Sequence, residues 1–319
     1  MKRLGYLYEE VCSMENLIEA HKRASKGKGH YREVKMINAA PEKFLHLLRE
    51  MLLNQTFKNS TYTRMIRNEY GKEREILKLP YFPDRIIHHA IMNVMEPIWI
   101  SHFINDTGAS IKGRGVHKGV RRIKSAMGDQ AGTRFCLKMD VRKFYPSVDN
   151  TIMKDIIRQR VKDVRLLWLI DEIIDSSIGL PIGNYLSQFL ANLYLSDMDH
   201  WIKEHLGVKY YFRYCDDMVL LSKGKRELHK YRRLIDQYLS ERLNLQLKGD
   251  WQVFPVDARG IDFLGYRFFH GYTLVRKSIV ARFKQKHKSH KVASIPAYWG
   301  WFKWADTNNL IKRYGVSYE

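Results

Sequence analysis

Asp216 and Asp217 lie side by side between two apolar runs, in the segment Val208-Lys-Tyr-Tyr-Phe-Arg-Tyr-Cys-Asp-Asp-Met-Val-Leu-Leu221. Adjacent carboxylates in such surroundings are costly unless a cation holds them. Both flanks are rich in aromatic and β-branched residues, so they predict two strands joined by a tight turn. The turn then presents both acids at a hairpin tip. Asp-Asp pairs are also common in ordinary turns, where the side chains bond nearby backbone. A third acid narrows the choice: Phe135-Cys-Leu-Lys-Met139 is an apolar run that ends on Asp140, with Arg142, Lys143, Phe144, Tyr145 and Pro146 after it. A buried strand ending on a carboxylate beside the hairpin brings three acids together. They repel one another unless a divalent metal is bound, and Mg²⁺ suits carboxylates plus substrate phosphate oxygens. Two-metal phosphoryl transfer requires such a set.

Composition agrees with a polyanionic partner without establishing one. The chain has 319 residues, 45% of them hydrophobic, enough for a globular core with several subdomains. Lys and Arg outnumber Asp and Glu by 55 to 34, and the net charge of +21 suits a protein that holds phosphate backbones. Membrane-surface binding and a plain solvated surface are the competing uses of that charge. No stretch is long and apolar enough to span a bilayer and the N-terminus lacks a signal-peptide core, so a cytoplasmic protein with no membrane partner is expected. Cys12, Cys136 and Cys215 are too few and too scattered for a zinc site or a disulfide framework. Neighbouring carboxylates raise a thiol's pKa, so Cys215 is expected to be structural rather than nucleophilic. His88 and His89, and the basic cluster over residues 286–291, are expected on helix surfaces, facing phosphate.

Residues 1–60 are expected to be helical, with apolar spacing of three and four over 11–25 and 41–53 and a basic break over 26–29. Strand-like stretches over 61–66 and 76–79 precede a helix over 83–99. Residues 133–270 alternate strand, helix, helix, hairpin, helix and strand, the order of a split βαββαβ sheet. Its helices are expected over 149–161, 164–174, 184–205 and 225–243. Asp149 falls at a helix N-terminus, which makes it a poor catalytic candidate. Residues 263–269, with Gly265 among bulky neighbours, predict a turn-like strand, and 276–291 a helix dense in basic residues. Trp299, Trp301 and Trp304 are expected in a packed core, with base stacking as the alternative.

Several motifs occur in a fixed order: Arg74-Glu-Ile-Leu-Lys-Leu-Pro80 and Asp84-Arg85, Lys112-Gly-Arg-Gly115, the Asp140 strand, Gly179-Leu-Pro-Ile-Gly-Asn-Tyr-Leu-Ser-Gln188, Tyr214-Cys-Asp-Asp217, and Ile261-Asp-Phe-Leu-Gly-Tyr266. Over residues 60–270 the chain thereby resembles a reverse transcriptase, with Tyr214-Cys-Asp-Asp217 as the family's YxDD box. The resemblance implies an α+β right-hand polymerase: an N-terminal helical extension over 1–60, fingers over 61–132, a palm with the split βαββαβ sheet and the catalytic site over 133–270, and a helical thumb over 271–319. It implies RNA-directed DNA polymerase activity with two Mg²⁺ ions. Asp140 and Asp216 would ligate both, and Asp217 and the main-chain carbonyl of Val141 would complete the shell. One ion lowers the pKa of the primer 3′-hydroxyl and the other neutralises the leaving pyrophosphate. Deoxynucleoside triphosphates, a structured template RNA and an RNA–DNA hybrid are the implied ligands.

By the same resemblance, Lys72, Arg74, Lys112 and Arg114 are candidates for the incoming triphosphate, since three phosphates need fixed cations. A solvated basic loop is the alternative for each. Tyr145, five residues after Asp140, would pack under the sugar and leave no room for a 2′-hydroxyl, with a plain core aromatic as the alternative. Gln188, Leu264 and Gly265 are implied at the primer and template. Arg276, Lys277, Arg282 and Lys284 are implied along the hybrid, with contacts to phosphate and shape.

Ile182 precedes Gly183 where most reverse transcriptases carry Gln, so an apolar branched side chain replaces an amide able to check base-pair geometry. In the Ile-Gly-Asn and Ser-Gln signature, and in residues 297–310, the chain resembles the reverse transcriptases of diversity-generating retroelements, relatives of the group II intron and retron enzymes. That resemblance implies error-prone copying of a template-repeat RNA, with misincorporation opposite template adenines. It also implies an oligomeric accessory variability protein as partner. Ile182 and Gly183 would lie at the nucleotide, and core filling is the alternative for Ile182. Tyr185-Leu186 departs from the Leu-Thr of many members. Ending at Glu319, the chain is expected to lack RNase H and endonuclease domains. Two other functions fit the same residues: a phage-defence reverse transcriptase with its own noncoding RNA, and a basic RNA-binding scaffold with a silent site.

Overall fold

The computed structural model describes residues 3–69, 71–289 and 296–314. Helices α1 (Tyr8–Cys12), α2 (Met14–Ser25), α3 (Arg32–Ala39) and α4 (Pro41–Leu53) precede a hairpin of β1 (Thr63–Glu69) and β2 (Lys72–Lys78). A kinked turn at Tyr81–Arg85 leads into α5 (Ile86–His102), then β3 (Thr107–Gly108), α6 (Val116–Met127) and β4 (Phe135–Met139). Next come α7 (Phe144–Ser147), α8 (Asn150–Arg158), α9 (Val164–Ile174), α10 (Tyr185–Tyr194), α11 (Ser196–His200) and a π turn at Trp201–His205. A second hairpin, β5 (Tyr210–Tyr214) and β6 (Asp217–Ser222), is followed by α12 (Lys225–Leu243), β7 (Gln252–Pro255) and α13 (Val256–Arg259). The described chain closes with β8 (Ile261–Phe263), β9 (Tyr266–Phe268), β10 (Thr273–Val275), α14 (Lys277–Lys288), α15 (Pro296–Phe302) and α16 (Asn308–Tyr314). These elements form two compact units. One comprises Met1–Phe103, Lys143–Met198 and Ser240–Leu245, and the other Ile104–Arg142, Asp199–Leu239 and Gln246–Glu319.

The first unit is built round α5, which buries residues on nearly every side, from Ile86 and Ile87 through Met92 and Met95 to Trp99. A helix apolar all round belongs in a core, and α1, α2 and α10 pack against it. His88 shares that burial: it is 3% exposed, and desolvation pushes its imidazole down to about 3. The expectation of surface, phosphate-facing histidines is corrected here, because α5 has no solvent face at position 88. His89 is half-buried and stacks on Tyr185 at 5.3 Å. Helix starts follow local capping chemistry. Asp149 accepts from Thr151 N and Ile152 N to open α8, and Asp163 accepts from Leu166 N to open α9. The long helix expected over 184–205 instead breaks into α10, α11 and the π turn. Ser196 Oγ donates to the Leu193 carbonyl at 2.7 Å, a back-bond that bends helices.

The second unit holds a five-stranded sheet in the order β3-β5-β6-β4-β7. Strand β4 is antiparallel to both β6 and β7, and β5 is antiparallel to β6, which is the split βαββαβ arrangement. Cys136, Phe212, Val219, Leu221 and Phe254 join the core beneath it, together with Val120 and Ile123 of α6. A three-stranded sheet, β8-β9-β10, continues that core. The turn-like strand expected over 263–269 is a hairpin, with Leu264 at φ 53° and Gly265 at φ 83°. Trp299, Trp301 and Trp304 pack against the core cluster, as expected of a packed segment. The basic helix runs as α14; of its expected span, His290 and Lys291 lie outside the described residues. Among the described residues no helix is long and apolar enough to cross a membrane.

Candidate active site

The register of β5 and β6 pairs Tyr214 with Asp217 and leaves Cys215 and Asp216 as the turn. Cys215 takes φ 58°, in the left-handed region, so the turn closes within two residues. Strand β4 pairs Met139 with Met218, which brings Asp140, one residue further on, to the same tip. Asp140 and Asp216 are in hydrogen-bond contact; burial first, then the neighbouring Asp140 charge, pushes the Asp216 carboxyl up to about 6. Asp140 Oδ1 is buried with no hydrogen-bond partner. Burial also raises Asp217, and the Lys138 ammonium opposes the rise. Lys138 Nζ lies 3.8 Å from Asp217 Oδ1 and donates to the Asp262 carbonyl at 2.7 Å.

The three acids expected to converge therefore stand as a close pair and a third that faces a cation. Among the described residues no group of three His, Cys, Asp or Glu side chains is arranged to hold a metal ion as it stands. The pair itself fits a cation: one carboxyl is raised by burial and by its neighbour's charge, and one buried oxygen has no donor. A cleft of about 370 Å³ adjoins it, lined among others by Lys138, Asp140, Asp217, Lys248, Asp262 and Arg276. Lys138, Lys248 and Asp262 were not among the residues expected at the site. The one signal for them was a lysine interrupting the apolar run of β4. The backbone of Asp140 is fixed by Lys248 N, which donates to its carbonyl at 2.8 Å, and Val141 bridges to Leu247.

Other expected residues of this unit have mixed surroundings. Lys112 is exposed, and Arg114 is half-buried with Nη1 donating to the Ile104 carbonyl at 3.0 Å. Leu264 is buried against Gly119. Arg276 N donates to the Gly265 carbonyl at 2.9 Å, while Arg276 Nε reaches Asp262 Oδ1 at 2.7 Å, so this guanidinium is engaged within the protein. Lys277 is exposed on α14, and Arg282 and Lys284 are half-buried there.

In the first unit, one backbone path links Tyr145, Ile182 and β2. Leu180 N donates to the Tyr145 carbonyl at 2.8 Å, and Leu77 N to the Ile182 carbonyl at 3.0 Å. Gly183 has φ 123°, and a Cβ there would lie 3.0 Å from Ile76 Cγ2 and 3.1 Å from the Leu77 oxygen. Glycine is required at that approach. Ile182 is half-buried on the wall of a groove of about 1050 Å³ that Tyr62, Arg64, Arg74 and Lys143 also line. Tyr145 is half-buried, Gln188 is exposed on α10, and Lys72 closes the β1–β2 ladder opposite Glu69.

A family model described as Reverse transcriptase (RNA-dependent DNA polymerase) matches residues 66–268, which include the Asp140 strand and the Asp216 turn. The chain belongs to the reverse transcriptase family. It is thus an RNA-directed DNA polymerase, a class of enzyme that uses divalent metal ions. This reverse transcriptase is 26% identical over 306 residues to Protein YkfC of Escherichia coli (strain K12), covering 79% of this chain and 78% of that protein. It is 25% identical over 165 residues to the Group II intron-encoded protein LtrA of Lactococcus lactis subsp. cremoris, covering 46% of this chain but 27% of that protein. Among solved structures, apo telomerase from Candida tropicalis matches 72% of this chain and 53% of that one, with a TM-score of 0.53 at 10% identity. That likeness is one of fold.

Proposed function

We propose that this reverse transcriptase makes error-prone cDNA from the template-repeat RNA of a diversity-generating retroelement. The observation that carries the proposal is Ile182: its carbonyl is bound by Leu77 N, and its apolar side chain lines the groove. A side chain that can neither donate nor accept a hydrogen bond exerts no polar check on a base pair. The hydrophobic contact it makes instead is tolerant of partner geometry. A structured template RNA, its RNA–DNA hybrid and an oligomeric accessory variability protein are the partners in this account.

Asp140, Asp216 and Asp217, with the Val141 carbonyl, are assigned to two Mg²⁺ ions. Bound there, the ions would activate the primer hydroxyl and neutralise pyrophosphate. The chain's own residues supply the rest. Tyr145 is assigned to excluding a 2′-hydroxyl, Lys72, Arg74, Lys112 and Arg114 to the triphosphate, and Ile182 and Gly183 to the nucleotide. Gln188, Leu264, Gly265, Arg276, Lys277, Arg282 and Lys284 are assigned to primer and template, Arg276 by fixing Asp262 and the Gly265 carbonyl rather than by direct contact. Fingers, palm and thumb are assigned to residues 61–132, 133–270 and 271–319.

Sequencing cDNA made in cells from the complete operon tests the role. The expected result is substitution concentrated at template adenines, reduced in Ile182→Gln. Errors spread evenly over the four template bases exclude diversification and favour the phage-defence alternative. Unchanged adenine errors in Ile182→Gln remove Ile182 from the account.

A further inference from the structure

Strand β5 carries a cation with no solvent face. Arg213 is 1% exposed, and its partner Asp199, in α11, is fully buried. Arg213 Nε lies 2.8 and 3.0 Å from the two Asp199 oxygens, and Nη2 lies 2.5 Å from Oδ2. Asp199 also accepts from Thr107 Oγ1 and from the Tyr211 hydroxyl, each at 2.7 Å. A buried pair of this kind is weak as a source of net stability, because desolvation offsets its attraction. The remaining arm of the guanidinium suggests what else it does. Arg213 Nη1 donates to the Cys215 carbonyl at 2.8 Å.

Cys215 is the left-handed residue of the turn, a conformation that side-chain-bearing residues adopt sparsely, and its carbonyl belongs to the peptide that leads into Asp216. A guanidinium clamped by Asp199 therefore fixes the peptide that aims Asp216. Strand β3 buttresses the arrangement from the side: Thr107 and Gly108 pair with Arg213 and Tyr214, and Arg213 N donates to the Asp106 carbonyl at 3.0 Å. A side chain at Gly108 would meet the Tyr214 ring at 2.9 Å. The edge strand thus packs tightly on the residues just before the turn.

We propose that the Arg213–Asp199 pair, held by Thr107 and Tyr211, sets the turn at Cys215 and thereby aims the Asp216 carboxylate for metal-dependent nucleotide addition. The proposal rests on the assignment of Asp216 as a metal ligand. Arg213 is a positioning residue, acting through the turn.

Arg213→Lys in the full chain separates this role from simple core filling. Lysine keeps a buried cation for Asp199 but lacks the planar fork needed to hold Asp199 and the Cys215 carbonyl together. Three properties are measured: the thermal melt, Mn²⁺ affinity from the electron paramagnetic resonance of free Mn²⁺, and deoxynucleotide incorporation on a primed RNA template. With a wild-type melt, kcat should fall about ten- to hundredfold while the nucleotide KM stays within about twofold. Mn²⁺ affinity should fall toward that of Asp216→Asn. A wild-type melt with wild-type kcat and Mn²⁺ affinity overturns the proposal. If Arg213→Lys does not fold, Thr107→Val decides, since it removes one bond to Asp199 and leaves the ion pair buried. Lower kcat at an unchanged melt then supports the proposal, and unchanged kcat overturns it. Wild-type protein that binds Mn²⁺ no better than Asp216→Asn overturns the metal assignment and the proposal with it.

Discussion

Buried ionisable residues carry the consequences that belong to single positions. His88 is held neutral by burial, with its folded pKa near 3, below the unfolded value of about 6.5. Between those values the unfolded chain binds more protons than the folded one, so stability is intact above pH 6.5 and is lost as pH falls through that window. The loss should reach about 1.4 kcal/mol per pH unit for this one group. Urea unfolding at several pH values checks it: His88→Asn should remove one proton's worth of slope between pH 6 and 4, and an unchanged slope would refute the assignment. The meeting of Asp140 with the Asp216 turn was legible because the apolar runs beside these acids predict strands, and β4 pairs with the β5–β6 hairpin. Lys138 and Arg213 were not. A lone cation in an apolar strand gives no sign of its partner, and Asp217 and Asp199 reach them only through sheet pairing and helix packing.

Elements were legible where local chemistry sets their ends. The expected spans 164–174 and 225–243 coincide with α9 and α12, since apolar periodicity runs unbroken and Asp163 caps the former. Strand β3 left no trace, because two residues cannot show alternation and Thr107–Gly108 is a strand only by pairing with β5. The β8–β9 hairpin shows how a single turn can govern an element. Gly265 sits at φ 83° with the Trp301 ring where a Cβ would go, and Trp301 also lies 5.4 Å from Tyr266. Gly265→Ala should cost about 2–4 kcal/mol, combining left-handed backbone strain with overpacking. Urea denaturation measures it, and a cost under about 0.5 kcal/mol would show that the turn relaxes freely.

At the scale of the whole molecule, ordered motifs spread along the chain made the polymerase fold legible, with its βαββαβ sheet. The division into two units was not, because each unit gathers three separate stretches of chain and such pairings arise only on folding. A net charge of +21 fits a polymerase that holds template and hybrid, but charge alone does not distinguish catalysis from binding. The acids do. Removing divalent metal with a chelator should stop incorporation, and added Mg²⁺ should restore it; chelator-resistant synthesis would exclude the two-metal assignment. The most direct test of the account is primer extension on an RNA template with deoxynucleotides and Mg²⁺, comparing the wild-type chain with Asp216→Ala/Asp217→Ala. Extension by wild type, none by the double variant and RNA binding within about twofold of wild type is the predicted result, since the proposal assigns the acids to the reacting phosphates rather than to the template; cDNA synthesis by the double variant would contradict it.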